Sequence, residues 1–121
     1  MYLFVYSDLK KGGNNHILLK GAFYLGKALL KNYAIGTYGV MPFAKEKKGY
    51  YIKGELYKLS ERDLNMIDFL KSKGLVYDRE KKFIYTENGI IQAYFYTMNE
   101  ETKTDWFTFY DQNKRRNKPP L

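Results

Sequence analysis

Hydrophobic and polar residues follow the pattern of β-strands along most of the chain, and one stretch has the spacing of a helix. The strand-like segments are rich in Leu, Val, Ile, Phe and Tyr and are bounded by Gly, Asn or charged residues. They cover residues 1–6, 22–30, 33–38, 50–59, 76–85 and 90–96. Several strands, one helix and then a hairpin predict an α+β domain with a mixed or antiparallel sheet or a partial barrel.

Short polar or glycine-containing segments predict the connections. Asn88-Gly89 supplies two residues that tolerate a positive φ, which is typical of a hairpin between the last two strands. Lys31-Asn32 is interpreted in the same way, as a two-residue turn between the second and third segments. Residues 39–48 contain a proline and a run of charges, so we predict a loop there. The segment His16–Leu19 is predicted to form one helical turn.

The main helix is predicted over about residues 60–73. Ser60 stands at the N-cap position and Asp63 follows three residues later, a spacing that resembles a capping box. Glu61 adds negative charge near the N-terminus, where it interacts favourably with the helix dipole. Asp68 is expected to pair with another charge on the helix surface.

One charged residue interrupts the apolar face of this helix. Leu64 and Ile67 are three residues apart on one face, and the same spacing rule places Lys71 next on that face. A lysine there either extends outward to solvent along its long stem or points into a cavity. Both alternatives remain open from the sequence.

Length and composition are those of one folded domain. The chain has 121 residues, of which 45% are hydrophobic and 18% aromatic. We assign the domain to residues 1–110, with the aromatic run 106–110 docked on the sheet, and interpret the basic residues 111–121 as a flexible tail. The absence of cysteine excludes disulfides and thiolate chemistry. Because no apolar run is long enough for a membrane span or a signal peptide, we expect a cytoplasmic protein without membrane contact.

The charge and the histidine content limit other functions. The net charge is +8, which attracts phosphate polyanions without a specific site. Nucleic-acid binding is therefore an alternative, although no known nucleic-acid-binding pattern accompanies the charge. His16 is the only histidine, and no carboxylate cluster has the spacing of a metal ligand set. We predict no metal site and no cofactor.

Three separated stretches share motifs with one known family. The first, residues 4–16, reads FVYSDLKKGGNNH and is similar to an opening strand and loop that usually reads VYG, then T or S, then LRRG. The second, residues 54–79, begins GELY and follows the family spacing without a gap. The third, residues 104–106, reads TDW and is similar to a GDW sequence after the last strand. In this order they resemble the gamma-glutamylcyclotransferase-like family, in particular its gamma-glutamylamine cyclotransferase branch.

The resemblance implies a small mixed β-barrel with a polar pocket. In that family, backbone N–H groups of the loop after the first strand hold the substrate carboxylate, and a glutamate near the end of the central helix acts as the base. The α-amino group loses a proton and attacks the γ-amide carbonyl, so that 5-oxoproline forms and the amine leaves. This attack needs positioning, a proton acceptor and oxyanion donors. The candidate substrate-binding residues are Tyr6, Ser7, Asp8, Leu9 and Tyr77.

Two departures from the family pattern affect this predicted site. The catalytic glutamate corresponds to Lys71, and a protonated amine cannot accept a proton. In the loop, Ser7 stands where the family has Gly, and Asp8 stands where it has Thr or Ser. Because a buried lysine is costly unless it is paired, Asp8 is the natural partner of an inward Lys71. Such a pair would occupy the pocket.

Three functions are compatible with these residues. The first is binding of a small γ-glutamyl or related anionic metabolite without standard catalysis, because Lys71 stands at the base position. The second is an active cyclotransferase that releases 5-oxoproline from γ-glutamyl amines with Asp8 or Glu55 as a relocated base. The third is a basic protein that interacts with nucleic acid. The pattern does not predict an oligomeric state.

Overall fold

A computed structural model describes residues 1–7, 9–13, 16–38, 41–71, 77–98 and 108–110. In these ranges the main helix, α1, spans Glu61–Leu70, and a short 3-10 turn spans His16–Leu19. The strands in chain order are β1 Tyr2–Val5, β2 Phe23–Tyr38, β3 Met41–Lys58, β4 Tyr77–Thr86, β5 Gly89–Met98 and β6 Thr108–Tyr110.

The strands form one sheet that closes into a barrel. Antiparallel pairs join β1 to β3, β3 to β2, β2 to β4 and β4 to β5. β5 then returns parallel to β1 at Leu3 and Tyr94, which completes the ring. β6 pairs antiparallel with the second half of β2. The predicted α+β fold, a small mixed barrel with one main helix, is confirmed.

Alternation along the strands creates two apolar cores. One set of side chains fills the barrel and includes Phe4, Leu30, Ile52 and Phe95. The other set packs between the barrel and α1 and includes Leu3, Val5, Leu64 and Ile67. Because successive residues of a strand point to opposite faces, β1 contributes to both cores. β1 therefore fixes the helix relative to the barrel.

The close crossing of β1 and β3 explains the glycine at position 54. A Cβ atom there would lie 2.3 Å from the carbonyl oxygen of Val5 and 2.6 Å from the ring of Phe4. Part of this obstacle is backbone, which cannot move aside as the end of a flexible side chain can. Gly54 is therefore required by the approach of another strand.

The helix begins as predicted and ends earlier. Ser60 Oγ accepts a hydrogen bond from the Asp63 N–H at 3.1 Å, which is the expected N-cap. The last helical residue is Leu70, and Lys71 is the C-cap, with its N–H bonded to the Ile67 carbonyl at 2.8 Å. Positions 72–76, which include the predicted end at 73, lie outside the described residues.

The predicted turn at Lys31-Asn32 is wrong, because β2 is continuous through it. Asn32 does have a φ of 64°, as a turn residue would. It lies, however, at a register shift in the β2–β3 ladder, and its Oδ1 accepts a hydrogen bond from the Gly49 N–H at 3.3 Å. Because β3 pairs with β2 on both sides of Asn32, this residue forms a bulge within one continuous strand and not a turn.

The predicted loop over residues 39–48 is also wrong for most of its length, because β3 begins at Met41. Phe43 and Ala44 are buried, one in each core. The charged residues that follow include exposed side chains at Glu46 and Lys48, and a sheet with one solvated face accepts them. The prediction gave too much weight to charge and proline and too little to the adjacent apolar pair.

The remaining local predictions have mixed outcomes. The β4–β5 hairpin is confirmed, with Thr86 paired to Gly89, whose φ is 122°. The turn at His16–Leu19 is confirmed as a 3-10 turn. Residues 108–110 of the predicted aromatic run pair with β2, whereas 106 and 107 and the tail lie outside the described residues. The domain boundary at residue 110 stays a prediction.

Candidate functional site

A small cavity lies where the end of α1 meets β1 and the start of β4. Its volume is about 10 Å³, roughly the space that one water molecule needs. Among the predicted substrate-binding residues, all but Asp8 line it, and Asp8 lies outside the described residues. The lining residues are Phe4, Val5, Tyr6, Ser7, Leu9, Lys71, Tyr77 and Tyr96.

Lys71 borders this cavity. Its side chain is partly buried, and its Nζ lies 4.9 Å from the centre of the Tyr77 ring. This distance is typical of a cation–π contact. Because the residue caps α1 one turn beyond Ile67, it continues the buried face of the helix to the cavity edge. The side chain therefore lies at the cavity edge, and both its inward orientation and its pairing with Asp8 remain hypotheses.

The two tyrosines of the predicted site have hydroxyls that bind the barrel wall. Tyr6 donates to the carbonyl oxygen of Tyr96 at 2.5 Å and accepts from the Ala44 N–H at 2.8 Å. Tyr77 donates to the carbonyl oxygen of Pro42 at 2.9 Å. Buried tyrosines commonly have such partners. These hydroxyls tie the strands around the cavity together, and the rings form part of its surface.

Glu55 has a contact that sequence reasoning missed: it holds the loop after β1. Its Oε1 accepts hydrogen bonds from the Lys11 N–H at 2.9 Å and from the Tyr57 hydroxyl at 3.1 Å. Burial, and then the nearby Glu55 carboxylate, raise the pKa of Tyr57 above its ordinary value. Glu55 is not among the residues that line the cavity. The glutamate considered as a relocated base therefore positions the loop.

His16 fixes the same loop from the other side. Its Nδ1 lies 2.8 Å from the carbonyl oxygen of Leu9. Because a carbonyl oxygen only accepts hydrogen bonds, Nδ1 is the donor in this contact. The imidazole also packs at a tilt against the Tyr57 ring, with 5.9 Å between the ring centres. The sequence identified His16 as a turn residue but carried no signal for its link to Leu9.

Asp68 links α1 to two strands. Its Oδ2 accepts from Arg79 Nη1 at 2.5 Å, and its Oδ1 accepts from the Tyr96 hydroxyl at 2.6 Å. The side chains of Asp68 and Arg79 are only 12% and 16% exposed. The predicted pairing on the helix surface is therefore a partly buried link between helix and sheet. Burial, and then the hydrogen bond to Asp68, raise the pKa of Tyr96.

The described ranges contain neither a metal-binding cluster nor a helix that could span a membrane. No group of three His, Asp or Glu side chains in that part of the chain could hold a metal ion. In the same ranges, no helix has both the length and the apolar character to cross a membrane. The cytoplasmic location stays a prediction.

A closed mixed barrel with a cavity at the end of one helix defines the class of fold, and comparison with known sequences identifies the family. The model of the family described as gamma-glutamyl cyclotransferase, AIG2-like, matches residues 3–115. MJ1514 of Methanocaldococcus jannaschii is 35% identical over 98 residues, which are 78% of this chain and 82% of that protein. The chain therefore belongs to the AIG2-like gamma-glutamyl cyclotransferase family, as its motifs predicted.

Solved structures have the same fold. The crystal structure of an AIG2-like protein from Mus musculus has a TM-score of 0.77 at 22% identity and covers 87% of this chain and 80% of that chain. The solution structure of ytfP from Escherichia coli has a TM-score of 0.67 at 28% identity and covers 92% of each chain. The gamma-glutamylamine branch stays a prediction.

Proposed function

We propose that the protein binds a small γ-glutamyl or related anionic metabolite and does not catalyse the cyclotransferase reaction through residue 71. The supporting observation is that Lys71 borders the cavity at the position that, by the family resemblance, carries the catalytic glutamate. A protonated amine offers a counter-charge to a carboxylate, but it cannot take a proton from the attacking amino group. Membership of the family supports a γ-glutamyl compound as the ligand class.

Contacts at two described positions of the loop after β1, Leu9 and Lys11, support binding because they hold the backbone there in place. Glu55 accepts from the Lys11 N–H, and His16 contacts the Leu9 carbonyl. A pre-organised loop loses less conformational entropy when it binds a ligand. The described lining encloses space for about one water molecule. We therefore expect the partly exposed Lys71 side chain to move when the ligand binds, because the space is too small for the ligand otherwise.

An active cyclotransferase with a relocated base is the alternative, and the described contacts do not favour Glu55 for this role. Its Oε1 already accepts two hydrogen bonds, and the residue does not line the cavity. A base must reach the proton that it removes. A role for Asp8 stays a hypothesis, because that residue lies outside the described part of the chain.

Nucleic-acid binding stays a separate prediction that rests on the net charge of +8. Binding through phosphate contacts weakens steeply as salt rises. Titration of a fluorescent single-stranded RNA with the protein at 50 and 200 mM salt tests it. An interaction that is undetectable, or that does not change with salt, would remove this alternative.

Calorimetric titration with γ-glutamylethylamide, combined with an assay for 5-oxoproline, tests the proposal. The unmodified protein is expected to bind the amide and to release no 5-oxoproline above the rate without protein. Lys71→Met is expected to weaken binding by about tenfold, because hydrogen bonds to charged groups contribute about 1.5–3 kcal/mol. Lys82→Met, at an exposed position of β4 outside the cavity, is the matched control and leaves binding unchanged.

The Lys71→Glu variant tests whether the protein lacks only the catalytic base or also the site geometry that catalysis needs. The new carboxylate is expected to weaken ligand binding by repulsion and to raise 5-oxoproline release above that of the unmodified protein. Release by the unmodified protein that persists in Lys71→Met would contradict the proposal and support a base elsewhere. Failure of the unmodified protein to bind any γ-glutamyl amine would contradict the ligand class.

A further inference from the structure

The loop after β1 reaches from the cavity to a group of side chains outside it. Ser7 and Leu9 line the cavity, and Leu9 is only 3% exposed. The Ser7 carbonyl oxygen accepts a hydrogen bond from the Lys10 N–H at 3.0 Å, which links this wall of the cavity to the next part of the loop. The position of the wall therefore depends on what holds the loop at Leu9 and beyond.

Two side chains outside the cavity hold this segment at positions two residues apart. His16 Nδ1 donates to the Leu9 carbonyl oxygen at 2.8 Å, and Glu55 Oε1 accepts from the Lys11 N–H at 2.9 Å. Neither His16 nor Glu55 is among the residues that line the cavity. Both bonds are made to main-chain atoms, so they fix the backbone of the loop directly. We call these two hydrogen bonds the tethers.

Tyr57 contacts both His16 and Glu55. It is only 2% exposed, its hydroxyl donates to Glu55 Oε1 at 3.1 Å, and its ring centre lies 5.9 Å from that of His16. The Tyr24 ring packs at 5.4 Å from the Tyr57 ring, and the Lys11 ammonium lies 3.8 Å from the centre of the Tyr24 ring. One buried side chain therefore connects the two tethers, and a shift of either one disturbs its contacts.

We propose that His16 and Glu55 are positioning residues that act as one unit on the cavity wall. They do not contact the ligand, but together they hold the loop in the arrangement that binds it. A loop that is fixed in advance loses less conformational entropy on binding, so the unit raises affinity. Because loss of either tether frees the same segment, the remaining tether then contributes little. The inference rests on the proposed function, since it concerns affinity at the same cavity.

Calorimetric titration of variants with γ-glutamylethylamide tests the inference. Glu55→Ala and His16→Ala are each expected to weaken binding about fivefold, the equivalent of one net hydrogen bond. Glu55→Gln keeps an acceptor oxygen and His16→Asn keeps a donor near the position of Nδ1, so both are expected to retain most of the affinity. The double variant Glu55→Ala/His16→Ala is expected to lose about fivefold as well, whereas independent tethers would lose about 25-fold.

Lys27→Gln and Glu87→Ala are the controls. Lys27 is exposed and stands directly opposite Glu55 on β2, so its variant removes the neighbouring charge without removing a tether. Glu87→Ala removes an exposed carboxylate in the turn between β4 and β5. Both are expected to leave binding unchanged. An equal loss in either control, or in Glu55→Gln, would overturn the inference, because it would show an effect of charge alone. A loss of about 25-fold in the double variant would overturn the coupling.

Amide chemical shifts of the ligand-free protein separate this inference from the proposed function. Glu55→Ala is expected to shift Ser7 and Leu9, and His16→Ala is expected to shift Lys11, although neither side chain bonds to those positions. If the unmodified protein bound no γ-glutamyl amine, the proposed function would fail, and these shifts alone would decide whether the two residues position the wall. Shifts confined to Lys11 in Glu55→Ala and to Leu9 in His16→Ala would overturn the inference.

Discussion

Asp68 and Lys71 lie three residues apart near the C-terminal end of α1, yet the two charges have different surroundings. The Asp68 carboxylate is 12% exposed and is held by Arg79 from β4 and Tyr96 from β5. Lys71 caps the helix, is partly exposed and borders a cavity beside the ring of Tyr77. The Asp68 charge lies inside the interface between helix and sheet and has matched partners there, whereas the Lys71 charge lies at the end of the helix, closer to solvent.

The largest effect is expected at Asp68. Asp68→Ala removes one member of a partly buried ion pair and leaves Arg79 and the Tyr96 hydroxyl without this acceptor. The free energy of unfolding is expected to fall by about 3 kcal/mol, as for other buried pairs that lose one member. Urea unfolding with a common slope for both proteins measures the change.

Arg62→Ala, at an exposed position of the same helix, is the control and is expected to change stability by less than about 0.5 kcal/mol. The double variant Asp68→Ala/Arg79→Ala then measures the coupling between the two charges. If Asp68→Ala lowered the free energy of unfolding by no more than Arg62→Ala does, the stabilising role given to the Asp68 contacts would be wrong.

A smaller effect, with a distinctive pH dependence, is expected at Tyr96. Tyr96→Phe loses one hydrogen bond to Asp68, which costs about 1 kcal/mol at pH 7. The pKa of Tyr96 in the folded protein is raised, so its contribution is complete below about pH 10 and is lost as the pH rises further. Stability of the unmodified protein should therefore fall above pH 10, and that of Tyr96→Phe should fall less steeply.

Tyr33 provides a reference for this alkaline loss. Burial, followed by the charges of Glu80 and Glu46, raises the pKa of Tyr33 to about 12. Tyr33→Phe is therefore also expected to flatten the decrease above pH 10, without changing the contacts of Asp68. Urea midpoints between pH 7 and 11 provide the data. Parallel curves for Tyr96→Phe and the unmodified protein would contradict the role given to the Asp68 contact.

The smallest effect is expected at Lys71. Lys71→Met keeps an apolar stem of similar length and removes the ammonium beside Tyr77. A cation–π contact at a partly exposed site contributes about 0.5–1 kcal/mol, and other contacts of a partly exposed charge add little, so stability should fall by about 1 kcal/mol. A loss of about 3 kcal/mol would instead indicate a tight ion pair, such as the one hypothesised with Asp8. Urea unfolding at low and high salt distinguishes the two results.

Predictions from local signals succeeded where local geometry was sufficient. Ser60 and Asp63 form the predicted N-cap, because the bond between them closes within one turn. Leu64 and Ile67 are buried as their spacing indicated. Asn32 shows the limit of such signals: it has the positive φ of a turn residue, but β3 supplies partners on both sides and the chain continues as one strand.

The sequence by itself determined the capped helix, the apolar face that ends at Lys71 and the motifs that place the chain in its family. Only the tertiary structure decided that Glu55 holds the Lys11 backbone, 44 positions away, and that Tyr6 binds the Tyr96 carbonyl, 90 positions away. No periodicity relates such positions. Glu55 and Lys11 meet because β1 pairs with β3, and Tyr6 and Tyr96 meet because the barrel closes through β1 and β5. These contacts follow from strand register and not from local pattern.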